Sequence, residues 1–303
     1  MAIPKRLRRQ AGRYALVDHI PYKLPVEGRD QPAFMAAFPI NADRARHLIP
    51  GDEVHPLRLW GGRGLLVVTV INYLDTSIGK YIEYSIAIAC THGPRPAPPL
   101  LPGLLWNLYG TGQYVVDLPV STEISVKGGK GIWGMPKHRA SLDFVADDRQ
   151  ISSMYELDGQ LCTYVEIERP GREWFPLNIG AVNYCGFRGM TWRSRIYFRS
   201  KVGFRLFGGA RGRFVVGDHP RVQPLKTLEI AERPLFTAFL PAATGVLDDY
   251  CEGWFTNFAE PPAVAPEGLE SVVDLGLGEV WPPPPDRSLI PAPGRGAAAT
   301  AET

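Results

Sequence analysis

Residues 192–206 read WRSRIYFRSKVGFRL. Even positions carry Trp192, Ser194, Ile196, Phe198, Ser200, Val202, Phe204 and Leu206. Odd positions carry Arg193, Arg195, Tyr197, Arg199, Lys201, Gly203 and Arg205. A repeat of two puts one set on each face of an extended strand, here one apolar and one basic. The pattern spreads outward from there. YIEYSIAIACT (81–91) sets Ile82, Tyr84, Ile86, Ile88 and Cys90 against Tyr81, Glu83 and Ser85, and LLVVTVINY (65–73) is β-branched and apolar. QYVVDLPV, STEISVK, ASLDFVAD, QISSMYEL and LCTYVEIE follow at near-regular spacing. They are broken at Pro119, Gly128-Gly129, Asp147-Asp148 and Asp158-Gly159, the last suited to a type I′ hairpin turn. Strands in this rhythm predict an antiparallel sheet or barrel. The expected fold is mainly β (α+β), a large antiparallel β-barrel or cone with a few peripheral short helices. One such helix is predicted over ADRARHLI, capped by Asn41 and ended by Pro50-Gly51.

The chain of 303 residues is long enough to bury a large core without disulfides or metal. Gly (32) and Pro (29) are both frequent, which weighs against a helical bundle. Residues 1–30 read as an irregular N-terminal arm, 31–258 as the barrel domain, and 259–303 as a Pro-rich C-terminal extension, disordered from about residue 282. Thirty-three basic and 31 acidic residues leave a net charge of +2, against a globally basic nucleic-acid binder. The stretch from Phe187 to Phe214 holds eight basic residues and no acid. It is read as a solvated sheet face or subunit contact, not as a nucleic-acid surface. Cys90, Cys162, Cys185 and Cys251 show no zinc spacing, so reduced buried thiols and no metal are expected. The basic N-terminus lacks an apolar h-region, and no apolar window is long enough to span a bilayer. The expectation is a cytoplasmic protein with no membrane partner.

Chemistry concentrates in GGKGIWGMPKHRASLDF, residues 128–144. Gly128-Gly129-Lys130-Gly131 lacks the phosphate-loop spacing and reads as a hairpin turn. Lys137 follows a rigid apolar stretch in which Pro136 fixes its own φ. A lysine held in apolar surroundings loses hydration of its ammonium form, and a free amine can attack a carbonyl to give an imine. Trp133 and Met135 alternate with Gly134 and are candidate pocket walls that would desolvate Lys137.

IWGMPKH, with the glycines before it and LPVSTEISV upstream, resembles the acetoacetate decarboxylase family, whose signature G-R-E-I-[WF]-G-[FY]-P-K ends in the Schiff-base lysine. Gly129, Ile132, Trp133, Gly134, Pro136 and Lys137 match it. Tyr81-Ile82-Glu83 is similar to the family's early Tyr-x-Glu element, and AAFPINADRARHLIP to its early strand and helix. The resemblance spans roughly residues 30–250. It implies Lys137 as amine nucleophile and Glu83 as an acid/base or water-positioning carboxylate. It also implies no cofactor, a β-keto or 2-oxo acid substrate, and a homo-oligomer.

Three departures stand out. His138 replaces the lysine that follows the nucleophile. Lys130-Gly131 replaces the motif's Arg-Glu. The family's carboxylate-binding arginine falls on Gln31, with Arg29 two residues away. Arg29, Gln31, His138 and Arg139 are therefore candidates for substrate binding. Decarboxylation is the family default, and aldol or dehydration chemistry through the same imine is the variant. The alternative is a non-catalytic protein holding an apolar carbonyl or lipid-like ligand in the barrel.

Overall fold

The computed structural model describes residues 4–9, 11–171, 175–264 and 267–268. In chain order the elements used below are α1 (Lys5–Arg9), β1 (Arg13–Val17), β2 (Ile20–Leu24), β3 (Val26–Asn41), α2 (Ala42–Arg46), β4 (Arg63–Tyr73), β5 (Tyr81–His92) and β6 (Gly112–Val120). They continue with α3 (Glu123–Trp133), β7 (Lys137–Arg139), β8 (Gln150–Leu157), β9 (Gln160–Glu168), β10 (Phe175–Phe187), β11 (Met190–Leu206), β12 (Gly212–Val216) and β13 (Phe236–Leu247). The order β5-β4-β3-β13-β11-β10-β6, with β6 pairing back on β5, closes a seven-stranded barrel. Six of the seven seams are antiparallel. The seventh, β6 on β10, is a short parallel contact where Gln113 faces Asn183 and Tyr114 faces Tyr184. Closure leaves the barrel strands no free edge, the usual hazard of a large β structure.

A second sheet, built on β8, β9 and β12, packs on the outside of the wall. Its Ile151, Tyr155, Val165 and Ile167 meet Phe34, Phe38, Tyr84 and Ile86 from the barrel in the main apolar core. The two faces predicted for β5 are therefore both buried. Ile86, Ile88 and Cys90 point into this outer core, while Tyr81, Glu83 and Ser85 point into the barrel. Asn41 caps α2 as predicted, its side-chain oxygen accepting from the Asp43 and Arg44 amides. The four cysteines are free thiols. No helix among the described residues is long and apolar enough to cross a membrane.

Three expectations need correction. Residues 13–30 are not an irregular arm: β1 and β2 form a hairpin against α3, and β3 runs from Val26 as a barrel strand. The compact unit spans Met1–Glu267. The unit Gly268–Thr303 falls outside the described residues except for Gly268, and with it the expected disorder beyond 282. Residues 123–133, read as a strand and a glycine turn, form α3. Its glycines allow close approach. A Cβ on Gly128 would stand 2.7 Å from the Tyr22 ring, and one on Gly131 would stand 2.6 Å from Val17. Three glycines in a helix cost roughly 1 kcal/mol each against alanine; here they let the β1–β2 hairpin and Lys137 pack directly on the backbone. Finally, the apolar face of β11 is buried only as far as Val202. Ile196 and Phe198 face inward and Val202 is 6% exposed, but Phe204 and Leu206 beyond it are 43% and 49% exposed. The pairing with β13 slips between Arg199 and Gly203, and the additional residue lies in β13. The basic face is partly neutralised, Arg193 pairing with Glu252 and Arg205 with Glu168 at 3.2 Å.

Candidate active site

Lys137 opens β7, which lies parallel to the end of β6 with Lys137 opposite Leu118. The turn that delivers it is built from the GGKGIWGMPK stretch. Gly134 ends α3 in a left-handed conformation (φ 62°), and the Gly134 and Met135 amides donate back to the Lys130 and Gly129 carbonyls. Pro136 then carries the chain into the strand. The side chain of Lys137 runs back along α3 into the barrel, only 4% exposed. A Cβ on Gly129 would meet its Cδ at 2.3 Å, so the glycine is the groove in which the lysine stem lies.

The amine has defined neighbours. Lys137 Nζ is 2.7 Å from Glu83 Oε2, donates to Ser125 Oγ at 3.0 Å and stands 5.5 Å from the centre of the Tyr81 ring. Tyr81 stacks on Tyr73 with ring centres 4.3 Å apart. Burial, and after it the Glu83 charge, holds both phenols well above the ordinary tyrosine value, so they stay protonated at neutral pH. Glu83 comes from β5 and Ser125 from the first turn of α3. The site is thus assembled where the barrel wall, the glycine helix and β7 meet.

These groups open onto a cavity of about 120 Å³ inside the barrel. Its wall is mainly apolar, with Met35, Ile71, Leu118, Met135, Ile196 and Phe198 contributing. The polar exceptions include Gln113 and Asn183, joined by a 2.7 Å hydrogen bond from Gln113 Nε2 to Asn183 Oδ1.

Of the residues expected at the site, Lys137, Glu83 and Met135 line this cavity. Trp133 does not: it is core, its indole donating to the Asp248 carbonyl at 2.8 Å. Arg29 is outside, its side chain 69% exposed and 3.9 Å from Glu27. Arg139 is exposed and does not line the cavity, although it is still paired with Val120 at the end of β6. Gln31 is fully buried with no partner for either amide atom. Its amide fills the space a side chain would need at Gly28, which lines the cavity. In its pairing with β13, β3 takes an extra residue between Gly28 and Gln31, so Arg29 lies within a slip of its own strand while Gln31 lies before it.

His138 points the opposite way from Lys137, through the wall. Its Nε2 is 2.9 Å from the Tyr155 hydroxyl and its Nδ1 3.4 Å from Asp117 Oδ1. Asp117 in turn accepts from Arg221 Nε at 2.9 Å. Burial lowers the His138 value below the ordinary one, with Asp117 pulling in the opposite direction. Ser125, Tyr73, Gln113 and Asn183 are the site residues that sequence reasoning missed. Only Ser125 lay within a motif the sequence singled out, LPVSTEISV.

The family model for acetoacetate decarboxylase matches residues 10–173. No curated protein matches the sequence. Among solved structures, the barrel is similar to an acetoacetate decarboxylase from Legionella pneumophila, at TM-score 0.54 and 13% identity over 80% of this chain and 88% of that one. A second acetoacetate decarboxylase gives TM-score 0.55 and 16% identity over 78% and 91%. The enduracididine biosynthesis enzyme MppR, complexed with the condensation product of pyruvate and imidazole 4-carboxaldehyde, gives 0.51 and 13% over 78% and 90%. These identities speak for the fold. The family match covers more than half of the chain and includes both Glu83 and Lys137, and the chain belongs to the acetoacetate decarboxylase family.

Proposed function

We propose that this protein is a cofactor-independent lyase in which Lys137 forms a Schiff base with a small carbonyl substrate. The observation that carries the reading is a buried amine facing a cavity with a carboxylate at 2.7 Å. Glu83 takes a proton from Nζ, and the free amine adds to the substrate carbonyl carbon. The carbonyl oxygen leaves as water, with one proton from the nitrogen and one returned by Glu83, and an iminium remains. The iminium draws in the electron pair of a neighbouring bond. That bond is the one to CO2 in a β-keto acid, or a C–H bond whose proton passes to Glu83. The enamine so formed is protonated, or attacks a second carbonyl, and hydrolysis returns Lys137.

Decarboxylation is the default reaction for the family. Aldol condensation or dehydration is the variant, supported by the fold shared with MppR, which is complexed with a condensation product of pyruvate and an aldehyde. Tyr73 and Tyr81, protonated and stacked beside Glu83, keep the wall uncharged. A homo-oligomer belongs to the same reading. Exposed Phe175, Phe204, Leu206 and Phe207 at one end of β10 and β11 are available for self-contact, and a monomer by light scattering would remove that part.

The test is Lys137→Ala assayed against a panel of β-keto and 2-oxo acids, with and without an aldehyde partner. Turnover falls to background while the melting temperature stays within a few degrees. Wild-type-like turnover by the variant would sink the proposal in favour of a non-catalytic binding protein.

A further inference from the structure

The second polar partner of the buried amine, Ser125, has a part of its own in the chemistry, an inference that rests on the imine reading above. Ser125 lies in the first turn of α3, 1% exposed and four residues before Gly129. Residues four apart share a helix face and stand about 6 Å apart along the axis. The lysine stem lies in the Gly129 groove, and its tip reaches Ser125 one turn further back, where Nζ donates to Oγ at 3.0 Å. One face of α3 thus holds the stem with a glycine and the amine with a serine.

The direction of that hydrogen bond is fixed. An ammonium group only donates, so Ser125 accepts from it and turns its own single hydrogen elsewhere. Tyr81 receives that hydrogen. Burial and the Glu83 charge raise the Tyr81 value, and a hydrogen bond from the Ser125 side chain pulls against them. Tyr81 is itself held in place, 7% exposed and stacked on Tyr73. Ser125 therefore presents lone pairs, and no hydrogen, to Nζ.

This matters once Glu83 has taken a proton. Apart from Cε, the tetrahedral Nζ has three positions, which face Ser125, Glu83 and the cavity. The neutral amine fills them with two hydrogens and one lone pair, and rotation about Cε–Nζ exchanges them among three staggered arrangements. A Ser125 that only accepts disfavours the arrangement with the lone pair turned back onto the helix. A Ser125 that donated would favour it and occupy the nucleophile. We infer that Ser125 is a positioning residue for the Lys137 amine: it holds one N–H and so turns the lone pair toward the substrate, while Tyr81 keeps the serine hydrogen away. The lone pair then bonds to the carbonyl carbon as the C=O electron pair moves to oxygen, which takes the proton held by Glu83. The nitrogen, now cationic with two hydrogens, keeps its bond to Ser125.

The test follows the rate of Lys137 labelling by hexan-2-one in the full chain, with cyanoborohydride in excess so that imine formation sets the rate. Ser125→Ala, Tyr81→Phe and the double variant are compared with wild type, each checked by a thermal melt. Alanine is smaller than serine and a better helix former, and phenylalanine keeps the ring stack, so the fold should hold. Each single variant should lower the maximal labelling rate at least fivefold, with the half-saturating ketone concentration within twofold of wild type. The double variant should label within twofold of Ser125→Ala, because Tyr81 acts through Ser125. A folded Ser125→Ala with a maximal rate within twofold of wild type overturns the inference and leaves imine chemistry standing. So does a loss seen only in half-saturation, or losses that multiply in the double variant. No ketone-dependent adduct on Lys137 of the wild type overturns the imine reading itself, and this inference with it.

Discussion

Lys137 and His138 are consecutive residues of one three-residue strand, yet they end in opposite settings. Lys137 enters the barrel, where an apolar cavity leaves it Glu83 and Ser125 as polar partners. His138 passes outward into a hydrogen-bonded cluster of Tyr155, Asp117 and Arg221, under the second sheet. The two-residue period of a strand is the whole cause. The wall between them divides the labour: the inner face holds the amine proposed to react, and the outer face holds the strand that presents it. The departure from the family at His138 therefore falls on the supporting side. It changes how β7 is anchored, not what the substrate meets.

The largest expected break of this division comes from the inside. In Gly129→Ala a methyl group would stand 2.3 Å from Lys137 Cδ. Alanine gains about 1 kcal/mol of helix propensity over glycine, and overpacking costs about 1–3 kcal/mol. Stability should therefore move little, while the displaced amine loses at least tenfold in imine trapping. A thermal melt beside a trapping titration separates the two effects, and trapping at the wild-type level would show that the groove is not needed.

A change on the outer face should do the reverse. Asp117→Asn removes the charge that joins Arg221 to the His138–Tyr155 pair. Arg221 is 40% exposed and regains water, so the expected loss is about 1–3 kcal/mol and not the full penalty of a buried pair. Denaturant unfolding would read that loss, with trapping per folded molecule close to wild type. A trapping defect without a stability defect would place Asp117 on the chemical side of the wall.

The smallest effect is in pH. Burial depresses the His138 value in the folded state, so between that value and about 6.5, the unfolded one, the unfolded chain binds more protons. The stability linked to His138 is thus fully present above about pH 6.5 and is lost as pH falls through and below that value. His138→Gln should flatten this limb of the curve. Parallel wild-type and variant melts from pH 7.5 to 5.5 would show it, and equal slopes would mean that other groups carry the acid dependence.

How much of this was legible in the sequence follows from the forces each residue answers to. The barrel strands were legible because alternation reports burial directly, as in Tyr81–Cys90. Lys137 and Glu83 were found because a fixed motif and a Tyr-x-Glu element carried them. The helix α3 was not, because Ile124, Val126 and a run of glycines carry strand and turn preferences. Those glycines serve contacts with Tyr22, Val17 and Lys137 made through tertiary packing. The placement of Arg29 turns on a slip in β3 that leaves no local mark. Gln113 and Asn183 are neutral amides 70 residues apart, brought together only by the parallel seam that closes the barrel.

Everything above turns on whether the amine inside the wall is the one that reacts. Borohydride trapping of the wild-type protein with hexan-2-one, followed by peptide mapping, decides it. A ketone-dependent adduct is expected on the peptide bearing Lys137, present before any surface lysine is labelled and reduced at least tenfold in Glu83→Gln. Adducts spread over exposed lysines, with Lys137 unmodified, would mean that the buried amine is not the nucleophile.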